Sequence, residues 1–353
     1  MSFSVKGVTI GAGRTYVVAE MAWSHDGDRE LALEIVHGAA RAGTDCISVH
    51  MTNLPAYMVP HYGRGKGRVS SGKEDTRIYS YLCDINIRDE WWPEIFVSAR
   101  ENDLAVAAMP NDLPSLELAR RLDPDMYTIH AASFTEEGLV RAVAGQKKPL
   151  LLRVGGATLG EIERALAIAA EEGAAKIVLL HGQQNYPTRI EDTGLCRLAA
   201  LRETFGIPVG LADHIDADDP LATQIPLMAL PLGACMIEKH ITHDRSKKGE
   251  DHESALNPNE LADFILRLRK AEKALGTSYF ETFSDSQLQY RLVSRKRIVA
   301  AKDISAGKKI DPGDVTCKRS DRGLFPEDLT GVIGRTAAVD IEEDEGIILD
   351  LLT

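Results

Sequence analysis

Two histidines, His214 and His240, each close a short apolar run in the stretch 209–258, and an acid stands beside each of them. Asp213 directly precedes the first and Glu238 lies two residues before the second. Imidazoles held at the ends of neighbouring buried strands make a half-shell for a divalent transition metal. The bland alternative for each is a loop histidine with an ordinary hydrogen bond. Their equivalent positions and neighbouring acids favour the metal-ligating reading.

Further polar groups recur at the ends of apolar runs. Glu20 closes 16–21 (YVVAEM), and the alternation of 45–51 puts Cys46, Ser48 and His50 on one face of a strand. His130 closes 126–130, Arg153 sits near the end of 149–154, and His181 ends 177–181. A buried guanidinium without a counter-charge is costly, so Arg153 is expected to face an anion, from the protein or from a ligand. His50 and His130 read either as donors and proton carriers or as hydrogen-bonded lining groups.

The elements that must carry these side chains alternate. Strands are predicted at 16–21, 45–51, 104–109, 126–130, 149–154, 177–181, 208–212 and 234–239. Helical patterns lie between them, including a run between His214 and the last strand, and are clearest at 29–42, 159–171 and 259–275. Eight such units in about 275 residues predict an α/β fold, a closed (β/α)8 barrel whose chemistry gathers at the C-terminal ends of the strands. The segment 53–73 reads as a long loop bearing Tyr57, His61, Tyr62, Arg64, Lys66 and Arg68, a basic, aromatic cover for an anionic substrate or a solvated loop. Beyond Leu275 the pattern breaks. The expected division is a barrel domain over 1–278, a linker with a short helix over 279–293, and a small β-rich domain over 294–353.

The totals narrow the class. A net charge of −12 over 353 residues argues against a nucleic-acid surface. Five scattered cysteines point to reduced thiols and a cytoplasmic protein. No apolar run approaches the ~18 residues of a membrane span.

A barrel followed by such a tail resembles the sialic acid synthase family, whose C-terminal domain has the SAF, or type III antifreeze-like, fold. The resemblance rests on AEMAWSHDGD at 19–28, LLHGQQNYPT at 179–188, GLADH at 210–214, IEKHIT at 237–242, GEDHESALNP at 249–258 and SRKRIVAAKDISAGKKI at 294–310. It implies a transferase that joins phosphoenolpyruvate to an aldose and releases phosphate, giving a nonulosonic-type sugar acid. A Mn2+- or Mg2+-class ion would polarise the aldehyde. By position the metal pair carries to His214 and His240, and sugar contacts to Glu20, Tyr186, Glu238 and Asp251, with Gln184 in the same segment. The family's small domain lends an arginine to a neighbouring barrel. Here that carries to Arg319, or less well Arg322, and implies a domain-swapped homodimer.

The donor side departs from the family. Ser48 and His50 stand where it has a lysine and a glutamine, Thr128 replaces a second lysine, and Arg153 replaces a serine. Several strong phosphate contacts are thereby lost, while Arg153, His50 and His130 offer a rebuilt anion site. Three readings remain: the family condensation in an altered pocket; a metal-dependent lyase, aldolase or isomerase using a different carboxylated substrate; and a non-catalytic sugar-binding relative.

Overall fold

The computed structural model describes residues 2–61, 78–276 and 283–353. The part of the 53–73 loop from Tyr62 onward, with Arg64, Lys66 and Arg68, lies outside the described residues, as does the start of the expected linker. The chain divides into two compact units, Met1–Gly276 and Thr277–Thr353.

The first unit is a closed, eight-stranded parallel barrel. Its strands are β1 (Tyr16–Glu20), β2 (Cys46–Met51), β3 (Ala105–Pro110), β4 (Met126–Ile129), β5 (Leu150–Arg153), β6 (Ile177–His181), β7 (Val209–Asp213) and β8 (Ala234–His240). Each lies within about two residues of its sequence-predicted span. β8 closes the ring on β1, pairing His240 with Glu20. Residues of one parity, among them Val18, Ala107, Leu151, Leu180 and Met236, fill the interior. Residues of the other parity pack outward on the helices. An antiparallel hairpin, Phe3–Val5 with Val8–Ile10, adds Val5 and Ile10 to that interior cluster and so stops the barrel at its floor. The C-terminal strand ends, with Glu20, Arg153 and His240 among them, lie at the opposite rim.

The helices form where the sequence supplies both period and punctuation. Arg29–Ala42 starts on Asp28, whose side chain accepts from the N–H groups of Glu30 and Leu31, and stops at Gly43 with φ +83°. Leu159–Glu171 opens on a reciprocal capping box between Thr158 and Glu161. The helical run expected between β7 and β8 is a correction: the structure has only a 3-10 turn, Ile225–Ala229, there. Pro220, Pro226 and Pro231 explain it, because each removes an N–H and resists α-helical continuation.

Among the described residues the second unit holds one antiparallel pair, β9 (Lys296–Ala300) with β10 (Val315–Arg319), besides isolated bridges and two helices, Asp285–Ser294 and the short Leu329–Val332. Its core gathers Ile298, Ile304, Ile310, Val332, Ile341 and Ile347. It has less regular strand than the sequence pattern suggested, because turns interrupt each apolar run. The helix Asp285–Ser294, near the start of this unit, buries no residue.

Two glycines let the rim close. A Cβ at Gly182 would lie 1.9 Å from the Ala212 carbonyl oxygen, and one at Gly155 would lie 1.7 Å from that of Gly182. Gly182→Ala is expected to cost about 1–3 kcal/mol through forced backbone shifts, read by urea denaturation. Gly160→Ala, on an exposed helix start where a Cβ meets nothing within 4 Å, is expected to leave the midpoint unchanged or raised.

Candidate active site

At the rim the inward parity of β1, β5 and β8 delivers Glu20, Arg153 and Glu238, and all three are fully buried. One nitrogen of the guanidinium, Arg153 Nη2, donates to Glu20 Oε2 at 2.6 Å and lies 2.5 Å from Glu238 Oε1. The anion expected for Arg153 is therefore a pair of protein carboxylates. Burial works against the guanidinium's charge, but Glu238 and Glu20 override it and hold Arg153 protonated. Burial pushes the Glu238 carboxyl up to about 7, and Glu20 adds to that, while Arg153 pulls the other way. Glu20 also accepts the Ala22 N–H at 2.8 Å through its second oxygen. Arg153 Nε and Nη1 and the hydroxyls of Ser48 and Thr128 are buried without a hydrogen-bond partner.

Next to this triad stand His214 and His240, with ring centroids 5.0 Å apart and planes at 74°. His214 donates from Nδ1 to the Gln183 carbonyl at 2.6 Å, which leaves Nε2 as the bare nitrogen. His214 Nε2 and both ring nitrogens of His240 are buried and unpartnered. Burial, then the Arg153 charge, depress His214 to about 3. Burial, then the neighbouring His214, hold His240 far below its ordinary value. Both rings are thus neutral, the form that ligates a metal. Among the described residues no group of three or more His, Cys, Asp or Glu could hold an ion alone. A cation bound here would need its other ligands from substrate or water, as open catalytic sites do.

Tyr186 packs on both imidazoles, at centroid distances of 4.7 and 5.5 Å, and its hydroxyl donates to Gln184 Oε1 at 3.0 Å. Burial raises the Tyr186 phenol, and the Asp251 charge raises it further, so Asp251 faces the same space. Asp251 itself is buried with φ +61°. On the other side His50 and His130 meet edge to face at 5.7 Å, and His50 Nε2 lies 3.6 Å from Glu20 Oε1. Burial and then Arg153 hold His50 well below the usual imidazole range. Burial and then His50 bring His130 to about 3. His130 Nδ1 accepts from the Ala132 N–H at 3.1 Å.

Ten of the eleven positions given a metal, sugar or donor role from the sequence collect at one end of the barrel. Arg319 is the other; it lies on β10 of the second unit, exposed, where its Nη2 donates to Ser294 Oγ at 3.3 Å. His181 is a correction. It has outward parity, its Nε2 bonds the Thr193 carbonyl at 2.9 Å, and it borders a separate cavity of about 610 Å3 with Arg197 and Ile162. Sequence reading missed the buried ion pair of Lys239 with Asp213, register partners on β8 and β7 directly before His240 and His214. An acid and a lysine each preceding a histidine was the available signal. It also missed the clamp on the histidine backbones. The His214 carbonyl accepts from the Thr188 N–H and from Ser254 Oγ, both at 2.7 Å, and the His240 carbonyl accepts from the Leu256 N–H at 2.9 Å.

Residues 35–279 match the NeuB family and residues 295–353 the SAF domain. The chain is 30% identical over 330 residues to a pseudaminic acid synthase of Campylobacter jejuni, covering 93% of this chain and 94% of that one. It is 28% identical to the N,N'-diacetyllegionaminic acid synthase of Campylobacter jejuni, covering 94% and 98%. Among solved structures, the N-acetylneuraminic acid (sialic acid) synthetase from Leptospira borgpetersenii serovar Hardjo-bovis shares the fold, with a TM-score of 0.71 at 24% identity over 82% of this chain and 96% of that one.

Two outcomes follow for stability. Arg153→Met strands two buried carboxylates and is expected to cost about 3–5 kcal/mol, with part recovered in Arg153→Met/Glu238→Gln, both read from urea melts. His25, buried beside Trp23 and Trp92, is depressed to about 3 by burial. Its ring stays neutral in the fold but gains a proton in the unfolded chain below about 6.5. The stability it lends is complete above that value and is lost as pH falls toward 3. His25→Gln should make the dependence of unfolding free energy on pH between 6 and 4 shallower by about 1.4 kcal/mol per pH unit.

Proposed function

The chain belongs to the NeuB family, and from that premise we propose that it forms a carbon–carbon bond between a sugar-like aldehyde and a small enol-type carboxylate, with a divalent Mn2+- or Mg2+-class ion, to give a sugar acid. The observation that carries this reading is the pair of neutral imidazoles, 5.0 Å apart with three buried, unpartnered ring nitrogens, beside a carboxylate-bearing wall. His214 Nε2 and a ring nitrogen of His240 would hold the ion, which when bound supplies Lewis-acid polarisation of the aldehyde. Tyr186, Gln184 and Asp251 are placed to take the sugar's hydroxyls, and Glu238 and Glu20 to orient the end nearest the guanidinium. His50 and His130, both neutral, can accept or relay a proton on the donor side. Near-complete burial of the triad keeps bulk water from the reacting carbons. The same premise carries a homodimer in which Arg319 contributes to the site of a second copy.

Two donors remain for this reaction. Phosphoenolpyruvate is what the resemblance implies. A different carboxylated partner, in a metal-dependent aldolase reaction, is favoured by one observation: the inward guanidinium of Arg153 already faces two carboxylates.

The test begins with the metal. His214→Ala and His240→Ala are each expected to weaken Mn2+ binding by at least tenfold, followed by electron paramagnetic resonance, with the thermal midpoint retained. Unchanged Mn2+ affinity in both variants would remove the metal centre from this reading. Loaded protein should then convert members of an acyl-amino-hexose panel to sugar acids when a donor is supplied. Metal binding without turnover on any donor would point to the sugar-binding alternative.

A further inference from the structure

The ladder between β8 and β7 is not regular. Ala234 pairs with Val209 and Met236 with Gly210, so Cys235 is an extra residue on β8. A bulge of this kind turns every later side chain to the face opposite the one that plain alternation would give. The packing shows the switch: Ala234 belongs to the outward core and Met236 to the interior one. Gly210 makes room for it, since a Cβ there would lie 2.9 Å from both the Cβ and the carbonyl oxygen of Met236. Continued from Ala234 without the extra residue, the ladder would set Glu238 beside Asp213 and turn Lys239 inward. With it, Glu238 and His240 face the interior and Lys239 pairs with Asp213.

That pair stands outside the ring, at the parity where Val209, Leu211 and Ile237 of the same strands are apolar. Both side chains are buried, Lys239 Nζ donates to Asp213 Oδ2, and the same nitrogen reaches the Ala222 carbonyl at 3.5 Å. Apolar residues of similar volume would stabilise such a place at least as well, because desolvation offsets most of a buried pair's attraction. What an ion pair adds is selectivity of register. A slip of one residue would leave Lys239 without its carboxylate and put two acids side by side. The consequence falls on the next residue of each strand, His214 and His240, whose rings stand 5.0 Å apart.

We infer that Lys239 and Asp213 are positioning residues for the imidazole pair: together they lock β8, beyond the Cys235 bulge, in the register that sets His240 beside His214. The pair makes no bond to either ring and acts through the backbone. The inference deepens the metal reading above and rests on it for its effect on Mn2+.

Lys239→Met with Asp213→Leu replaces the pair by apolar side chains of similar size, so the thermal midpoint is expected to hold or rise. Mn2+ affinity of the full chain, followed by electron paramagnetic resonance, is expected to fall at least tenfold. In the metal-free protein, nitrogen magnetic resonance of isotope-labelled histidine should show the His214 and His240 rings shift or broaden. Charge reversal, Lys239→Asp with Asp213→Lys, rebuilds the pair in the opposite sense and is expected to restore the affinity. It decides alone if the apolar variant does not fold. A merely structural pair would lower the midpoint and leave both the Mn2+ affinity and the ring resonances of the folded protein unmoved. That result, or a folded charge-reversed variant at least tenfold weaker than the parent, overturns the inference. Failure of the metal reading looks different: Mn2+ affinity is then unmoved by His214→Ala and His240→Ala, and the histidine resonances still report on the register.

Discussion

One guanidinium group between two carboxylates sets the terms for the rest of this barrel. Arg153 on β5 reaches Glu20 on β1 and Glu238 on β8, so three strands meet through a contact that water does not reach. Taking three charges out of water costs several kcal/mol each, and only close mutual contact offsets it. The same positive charge acts on the surroundings. Burial is the larger cause, and this charge adds to it, in keeping His50, His130, His214 and His240 neutral. An electrostatic device that holds the fold together thereby also prepares the chemistry.

The scaffold around it serves placement. The N-terminal hairpin fills the floor, which leaves the polar strand ends at one rim. Outside the ring, Lys239 and Asp213 form a buried ion pair at matched register, and the next residue on each strand is a histidine. Thr188, Ser254 and Leu256 fix the carbonyls of those histidines. The two rings are thus held from behind by charge and from the side by backbone hydrogen bonds, as second-layer contacts hold metal ligands elsewhere.

Much of this was legible in the sequence, for physical reasons. Strand parity is strict, so alternation set His50, His130 and Arg153 on the inward face, and the ends of the apolar runs marked Glu20, His214 and His240. His181 ends its strand with the opposite parity and so faces a different cavity. Three prolines hid the missing helix between β7 and β8 behind an apolar composition. The partners of Arg153 could not be chosen from sequence, since a buried guanidinium accepts protein or ligand anions equally well. The Lys239–Asp213 pair went unread because charged residues of outward parity are ordinarily solvated, and here both are buried.

The chain is a NeuB-family barrel whose rim carries an internal ion triad, Glu20, Arg153 and Glu238, beside a pair of neutral imidazoles. A crystal structure of the protein soaked with Mn2+, with an anomalous difference map, tests the proposed metal centre most directly. A metal centre on these imidazoles predicts an anomalous peak within bonding distance of His214 Nε2 and of a ring nitrogen of His240. An anomalous peak elsewhere, or those imidazole nitrogens bonded only to protein groups, would contradict it.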